Sequence, residues 1–114
     1  MHELSIALGI VKIAEAETAK ANAKSVEKIE LLIGSLSGVE LGSLKYVWST
    51  ATKNTVLENA QLDIEYLVAK AKCLECETVF KMNYNYDNCP KCKSYFKEIL
   101  KGKELKVIAL EVIG

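Results

Sequence analysis

Two Cys-x-x-Cys pairs constrain this chain more than any other feature: Cys73-Leu74-Glu75-Cys76 and Cys89-Pro90-Lys91-Cys92, separated by residues 77–88. Each pair can wrap a tight turn that presents two thiolates on one side. Two such turns facing each other complete a tetrahedron around a single ion. Four soft thiolates without another ligand suit a closed, structural Zn(II) site, with rubredoxin-like iron and free redox thiols as the alternatives. The donor set argues against a catalytic zinc, because four protein thiolates leave no position for water. The surrounding segment, 71–102, is poor in aliphatic residues. About thirty residues of that kind bury too little apolar surface to fold without a staple, so metal binding would supply the folding free energy.

The rest of the chain has a different texture. Leu4, Leu8, Val11 and Ala14 fall at helical spacing among good helix formers, which predicts a helix over 4–21 that fades near Asn22. Residues 26–33 alternate, with Ile29, Leu31 and Ile33 on one face, and predict a strand. Ser37-Gly38-Val39-Glu40 fits a capping box, so a second helix carrying Leu41, Leu44, Val47, Trp48 and Ala51 is expected to begin there. Residues 62–68 and 105–112 alternate again and predict two further strands. Two helices and three strands make a two-layer α+β unit. The expected division is a unit of 1–70 with 103–114, interrupted by an inserted four-cysteine mini-domain of zinc-ribbon type at 71–102. An insertion between strands also invites strand exchange between two copies of the chain, so a homodimer is one expected state.

Charge narrows the partners. The chain has 114 residues, half of them hydrophobic, with 15 lysines balanced by 15 acids and no arginine. That balance removes any global case for nucleic-acid or membrane binding. The distribution is uneven, however: residues 1–69 carry net −3 and residues 70–106 carry net +4. Neither a cleavable leader nor an apolar run of about 20 residues is evident. A soluble protein of a reducing compartment, hence cytoplasmic, is the expectation, and there paired cysteines serve as metal ligands rather than disulfides.

The opening Met1-His2-Glu3 holds the only histidine. A lone terminal histidine is ordinarily just solvated. Yet the Met1 amine, the ionised amide nitrogen of His2 and its Nδ1 can close fused five- and six-membered chelate rings, and three coplanar nitrogens suit square-planar Ni(II) or Cu(II). Glu3 and Glu40 are the nearest further donors. Both are expected at helix starts, where a carboxylate also satisfies unpaired N–H groups and the helix dipole.

Taken together, these features resemble the hydrogenase nickel-incorporation family HypA/HybF. The resemblance rests on Met1-His2-Glu3-Leu4-Ser5, on Ile33-Gly34-Ser35-Leu36-Ser37-Gly38-Val39 with Glu40 after it, and on Ile64-Glu65. It extends through Cys73-x-x-Cys76, Cys89-Pro90-x-Cys92 and Gly102-x-Glu104-Leu105, so it runs essentially end to end. It implies a metallochaperone rather than an enzyme. Such a protein would pass nickel to the large-subunit precursor of [NiFe]-hydrogenase, and in some members to urease, alongside a HypB-type GTPase. It further implies His2 and the Met1 amine as nickel ligands, Glu3 at or beside that site, and Zn(II) on the four cysteines. Some relatives are thought to offer nickel a second histidine from the zinc segment; this chain has none there, which leaves the fourth donor open.

Overall fold

Helix α1 spans His2–Lys20 in the computed structural model, which describes residues 2–114. Its buried face runs Glu3, Ala7, Ile10, Val11, Ala14 and Thr18. Val11 and Ala14 are buried as expected, but Leu4 and Leu8 are exposed and Ala7 and Ile10 turn inward in their place, so the buried face is rotated from the expected stripe over the first two turns. The helix ends as a Schellman motif. Asn22 takes a left-handed φ of 53°, and the Ala23 N–H donates to the Thr18 carbonyl at 3.0 Å.

The other elements follow in order: β1 (Ser25–Gly34), α2 (Leu41–Thr52), β2 (Gln61–Leu67), β3 (Ala69–Cys73), β4 (Val79–Met82), β5 (Lys97–Lys101) and β6 (Leu105–Ile113). They form two three-stranded sheets, ordered β2-β1-β6 and β4-β3-β5. The architecture is thus the expected α+β, with two helices and two small sheets. Ile29, Leu31 and Ile33 are buried, as their alternation predicted. Among the described residues, no helix is long and apolar enough to cross a membrane.

Helix α2 begins three residues later than expected. Gly38 has φ +83°, which an α-helix cannot accommodate, so residues 37–39 approach the helix as irregular chain. Glu40 is itself the N-cap rather than the third helical residue of a box opened by Ser37.

By internal contact the chain falls into two compact units. One comprises residues up to Leu31 with Val39–Ile64 and Val107–Gly114; the other comprises Leu32–Gly38 and Glu65–Lys106. In the first, α1 packs on α2, and Val26, Ile29, Leu31, Leu44 and Leu57 are fully or almost fully buried. In the second, the core consists of Ala69, Ala71, Cys73, Phe80, Met82 and Cys89, with Leu36, Cys76 and Ile99 packed against it.

The turn after β1 belongs to this second unit and explains the Gly-Ser-Leu run at residues 34–36. Gly34 N–H donates to the Glu104 carbonyl, Ser35 N–H to Leu67 and Leu36 N–H to Gly102, each at 2.8 Å. The Ser35 hydroxyl donates to the Met82 carbonyl and accepts from Ala69 N–H, also at 2.8 Å each. A side-chain carbon on Gly34 would run into the backbone of Gly102, and one on Gly102 would run into Ala69. Gly102 also has φ +122°, a conformation that L side chains rarely adopt. Strain and overpacking therefore combine in Gly102→Ala, which should destabilise the protein by about 2–4 kcal/mol. Gly9→Ala lies on an open helix face with nothing nearby and should instead stabilise by about 0.5–1 kcal/mol. Thermal unfolding of the two variants, moving in opposite directions, checks the pair.

Candidate metal centre

The two cysteine turns are local copies of each other. In the first, Cys73 N–H donates to the Thr78 carbonyl (2.9 Å), Glu77 N–H to the Cys73 carbonyl (3.0 Å) and Cys76 N–H to Cys73 Sγ (3.5 Å). In the second, Cys89 N–H donates to Ser94 (2.9 Å), Lys93 N–H to Cys89 (2.9 Å) and Cys92 N–H to Cys89 Sγ (3.5 Å). Glu77 and Lys93, each following its second cysteine, take left-handed φ values of 63° and 67°. The repeated pattern Cys-x-x-Cys-x-Thr and Cys-x-x-Cys-x-Ser is the sequence signal for this duplication.

Strand β3 delivers Cys73 and the turns deliver the rest, and the four Sγ atoms lie within 4.8 Å of one another. Cys73 and Cys92 sulfurs are 3.5 Å apart, and those of Cys76 and Cys89 are 3.6 Å apart. A tetrahedral zinc–thiolate site with bonds of about 2.3 Å has sulfur–sulfur edges of about 3.8 Å. The donor type, number and spacing therefore fit one tetrahedral ion. Cys73 and Cys89 are buried, Cys76 is half-buried and Cys92 is exposed.

Crowding pulls the thiols apart in acidity. Thr78, whose Oγ1 lies 3.2 Å from Cys76 Sγ, is the main cause holding Cys76 down at about 6. A backbone hydrogen bond from Ser94 pulls Cys92 down. The Cys73 sulfur, desolvation and the other two sulfurs outweigh it and push Cys92 up to about 12. Four adjacent thiolates repel one another, and a divalent cation among them would supply the compensating charge. Thr78 escaped the sequence reading, although its offset from Cys76 matches that of Ser94 from Cys92.

The second candidate cluster lies where α1 begins. Glu3 is buried; its Oε2 lies 3.2 Å from His2 Nε2 and accepts from the Glu40 N–H, also at 3.2 Å. The Glu40 amide holds the Glu3 carboxyl below the usual range, against the desolvation that raises it. Glu40 spends its own carboxylate on the helix. Oε2 accepts from Gly42 N–H (2.9 Å), and Oε1 accepts from Ser43 N–H (3.0 Å) and the Ser43 hydroxyl (3.1 Å). His2, Glu3 and Glu40 are therefore linked by consecutive polar contacts. The expectation for Met1 lies outside the described residues.

A two-helix α+β protein with four clustered sulfurs and an imidazole–carboxylate pair at its opening helix fits the class of metal-binding proteins. The comparisons make the family definite. The family described as "Hydrogenase/urease nickel incorporation, metallochaperone, hypA" matches residues 1–112, and the chain belongs to it. A hydrogenase maturation factor HypA from Parabacteroides distasonis is 44% identical over 112 residues, covering 98% of this chain and 97% of its own. One from Francisella philomiragia is 42% identical over 107 residues, covering 94% and 95%. The solution structure of the Ni metallochaperone HypA from Helicobacter pylori superposes with TM-score 0.68 at 29% identity, covering 99% of this chain and 98% of that one. This is a maturation factor, not an enzyme, and its role implies interaction with components of hydrogenase maturation.

The cap on α2 has a pH signature. Hydrogen bonds from Gly42 N–H, then Ser43 N–H and hydroxyl, hold Glu40 below its ordinary value of 4.5. A depressed folded value contributes stability above the unfolded value, and that contribution is lost as pH falls through the folded one. Glu40→Ala should therefore lower the melting temperature at neutral pH. The gap from the parent should close as the pH is taken below about 4. Paired melts across pH 3–7 check it.

Proposed function

We propose that this chain captures Ni(II) with the Met1 amine, the amide nitrogen of His2 and His2 Nδ1, and releases it to the large-subunit precursor of [NiFe]-hydrogenase. Urease is a further acceptor in this reading. The observation that carries the proposal is the 3.2 Å contact between His2 Nε2 and Glu3. With Nε2 turned toward a carboxylate, its proton resides there and Nδ1 keeps the lone pair. Nδ1 is the ring atom that closes a chelate with backbone nitrogens. Glu3 then orients a ligand rather than ligating, and the Glu40 amide fixes Glu3. The fourth donor is left to an exchangeable group, and losing that group opens an edge for transfer to an acceptor.

Cys73, Cys76, Cys89 and Cys92 hold a structural Zn(II) in this reading. Residues 1–70 and 103–114 form the nickel-binding part, and 71–102 form the zinc-binding part. A HypB-type GTPase is the expected working partner. The protein acts in the cytoplasm, and a homodimer, including a strand-exchanged one, is compatible with the interleaved chain.

Nickel titration of protein beginning at the native Met1, followed by d–d absorption, tests the ligand set. Residues added before Met1, or His2→Ala, should abolish the square-planar band while zinc content stays unchanged. Glu3→Gln should weaken nickel binding by about 10–100-fold. Affinity should fall steeply between pH 7.5 and 5.5, because each nitrogen must shed a proton to bind. Nickel binding that survives loss of the imidazole, or that is flat over this range, overturns the assignment.

Zinc has a separate test. Cys76→Ser should lose bound zinc and melt the signals of residues 71–102 before those of α1. A variant that keeps one zinc per chain with intact signals there would show that the site is not the four-sulfur one.

A further inference from the structure

The outer face of the sheet β4-β3-β5 shows a charge pattern that its own folding does not explain. The inner face carries Ala69, Ala71, Cys73, Phe80 and Met82 into the core. Register places Lys70 opposite Lys81 on β4 and, across a bulge, opposite Lys101 on β5. Directly opposed residues of antiparallel strands share a face, and strands lie about 4.8 Å apart. Three ammonium stems are therefore rooted in one row across about 10 Å of sheet. The next row is Val79, Lys72 and Glu98. Like charges placed directly opposite destabilise a sheet, and among the described residues none of these four lysines has an ion-pair partner.

The other sheet handles a lysine differently. Lys28 sits within 3.2–4.0 Å of Asp63, Glu30 and Glu111, so there the chain supplies its own neutralising acids. On β4-β3-β5 it supplies only Glu98.

We infer that this lysine face, Lys70, Lys72, Lys81 and Lys101 with the half-exposed Val79 beside them, docks an acidic, carboxylate-rich segment of a partner protein. Charge complementarity selects the occupant. The spread of four cations over two rows requires several anionic groups at once, which a lone phosphate cannot offer. A polynucleotide fits less well, since neither row carries an aromatic side chain for base stacking, and the chain has no arginine and zero net charge. Val79, 54% exposed, offers an apolar contact that a protein segment can cover. The inference stands independently of the nickel ligands.

The test uses the full, zinc-loaded chain and a fluorescent oligo-glutamate peptide, with oligo-glutamine as the neutral counterpart. The glutamate peptide should bind, and added salt should weaken it. The triple variant Lys70→Gln/Lys81→Gln/Lys101→Gln should lose at least about tenfold in affinity. Its melting temperature should hold or rise, because a repulsive row has been removed. Lys12→Gln/Lys45→Gln/Lys53→Gln, an equal charge change in the first unit, should bind like the parent. The inference fails if the peptide does not bind, if both triples lose affinity equally, or if the Lys70/Lys81/Lys101 triple melts lower. It fails also if oligothymidylate displaces the peptide at matching or lower concentration.

Discussion

Four sulfur atoms gathered within 4.8 Å set the terms for the cysteine-bearing unit. Its core is short of large aliphatic side chains: two alanines, two cysteines, Phe80 and Met82 make up most of it. Two of the four thiols are themselves core residues, so the sulfur cluster and the apolar core are one object. The strands β4 and β5 are short and pair only with β3. The duplicated turns fix the sulfur positions through backbone hydrogen bonds that do not depend on which side chains fill the intervening positions. This explains how Leu74-Glu75 and Pro90-Lys91, chemically unlike pairs, adopt one geometry.

The first unit is organised around a different interaction, the buried carboxylate of Glu3. Its position on the inward face of α1 would be costly for an unpaired charge. The Glu40 amide and the His2 imidazole supply the partners. The same carboxylate therefore ties the entrance of α2 to the first turn of α1 while also meeting the His2 imidazole. Glu40 contributes twice, with its side chain capping α2 and its backbone amide holding Glu3. The hydrogen-bond pattern gives it a supporting part in any metal chemistry that His2 performs.

Much of this was legible in advance. The cysteine spacing gave the cluster directly, because a Cys-x-x-Cys turn has few geometries. The alternation at Ile29, Leu31 and Ile33 gave the buried face of β1. The face of α1 was half legible: Val11 and Ala14 are buried as their spacing indicated, whereas Leu4 and Leu8 point outward and Ala7 and Ile10 face inward, a rotation that depends on packing partners distant in sequence. The α2 cap was misplaced because Ser37 and Glu40 satisfy the capping-box spacing, whereas the left-handed backbone at Gly38 forbids it. The contact of Gly34 with Gly102 is a meeting of two backbones far apart in the chain, and no local pattern encodes it.

The interleaving of the two units bears on what shortening the chain would do. The cysteine-bearing unit closes at Lys106, whereas the first unit also draws on Val107–Gly114, which holds most of β6. A chain ending at Lys106 would keep every segment of the sulfur-bearing unit and leave β1 with little beyond β2 as a neighbour. Erosion from that end would thus fall on the first unit before it reached the four sulfurs.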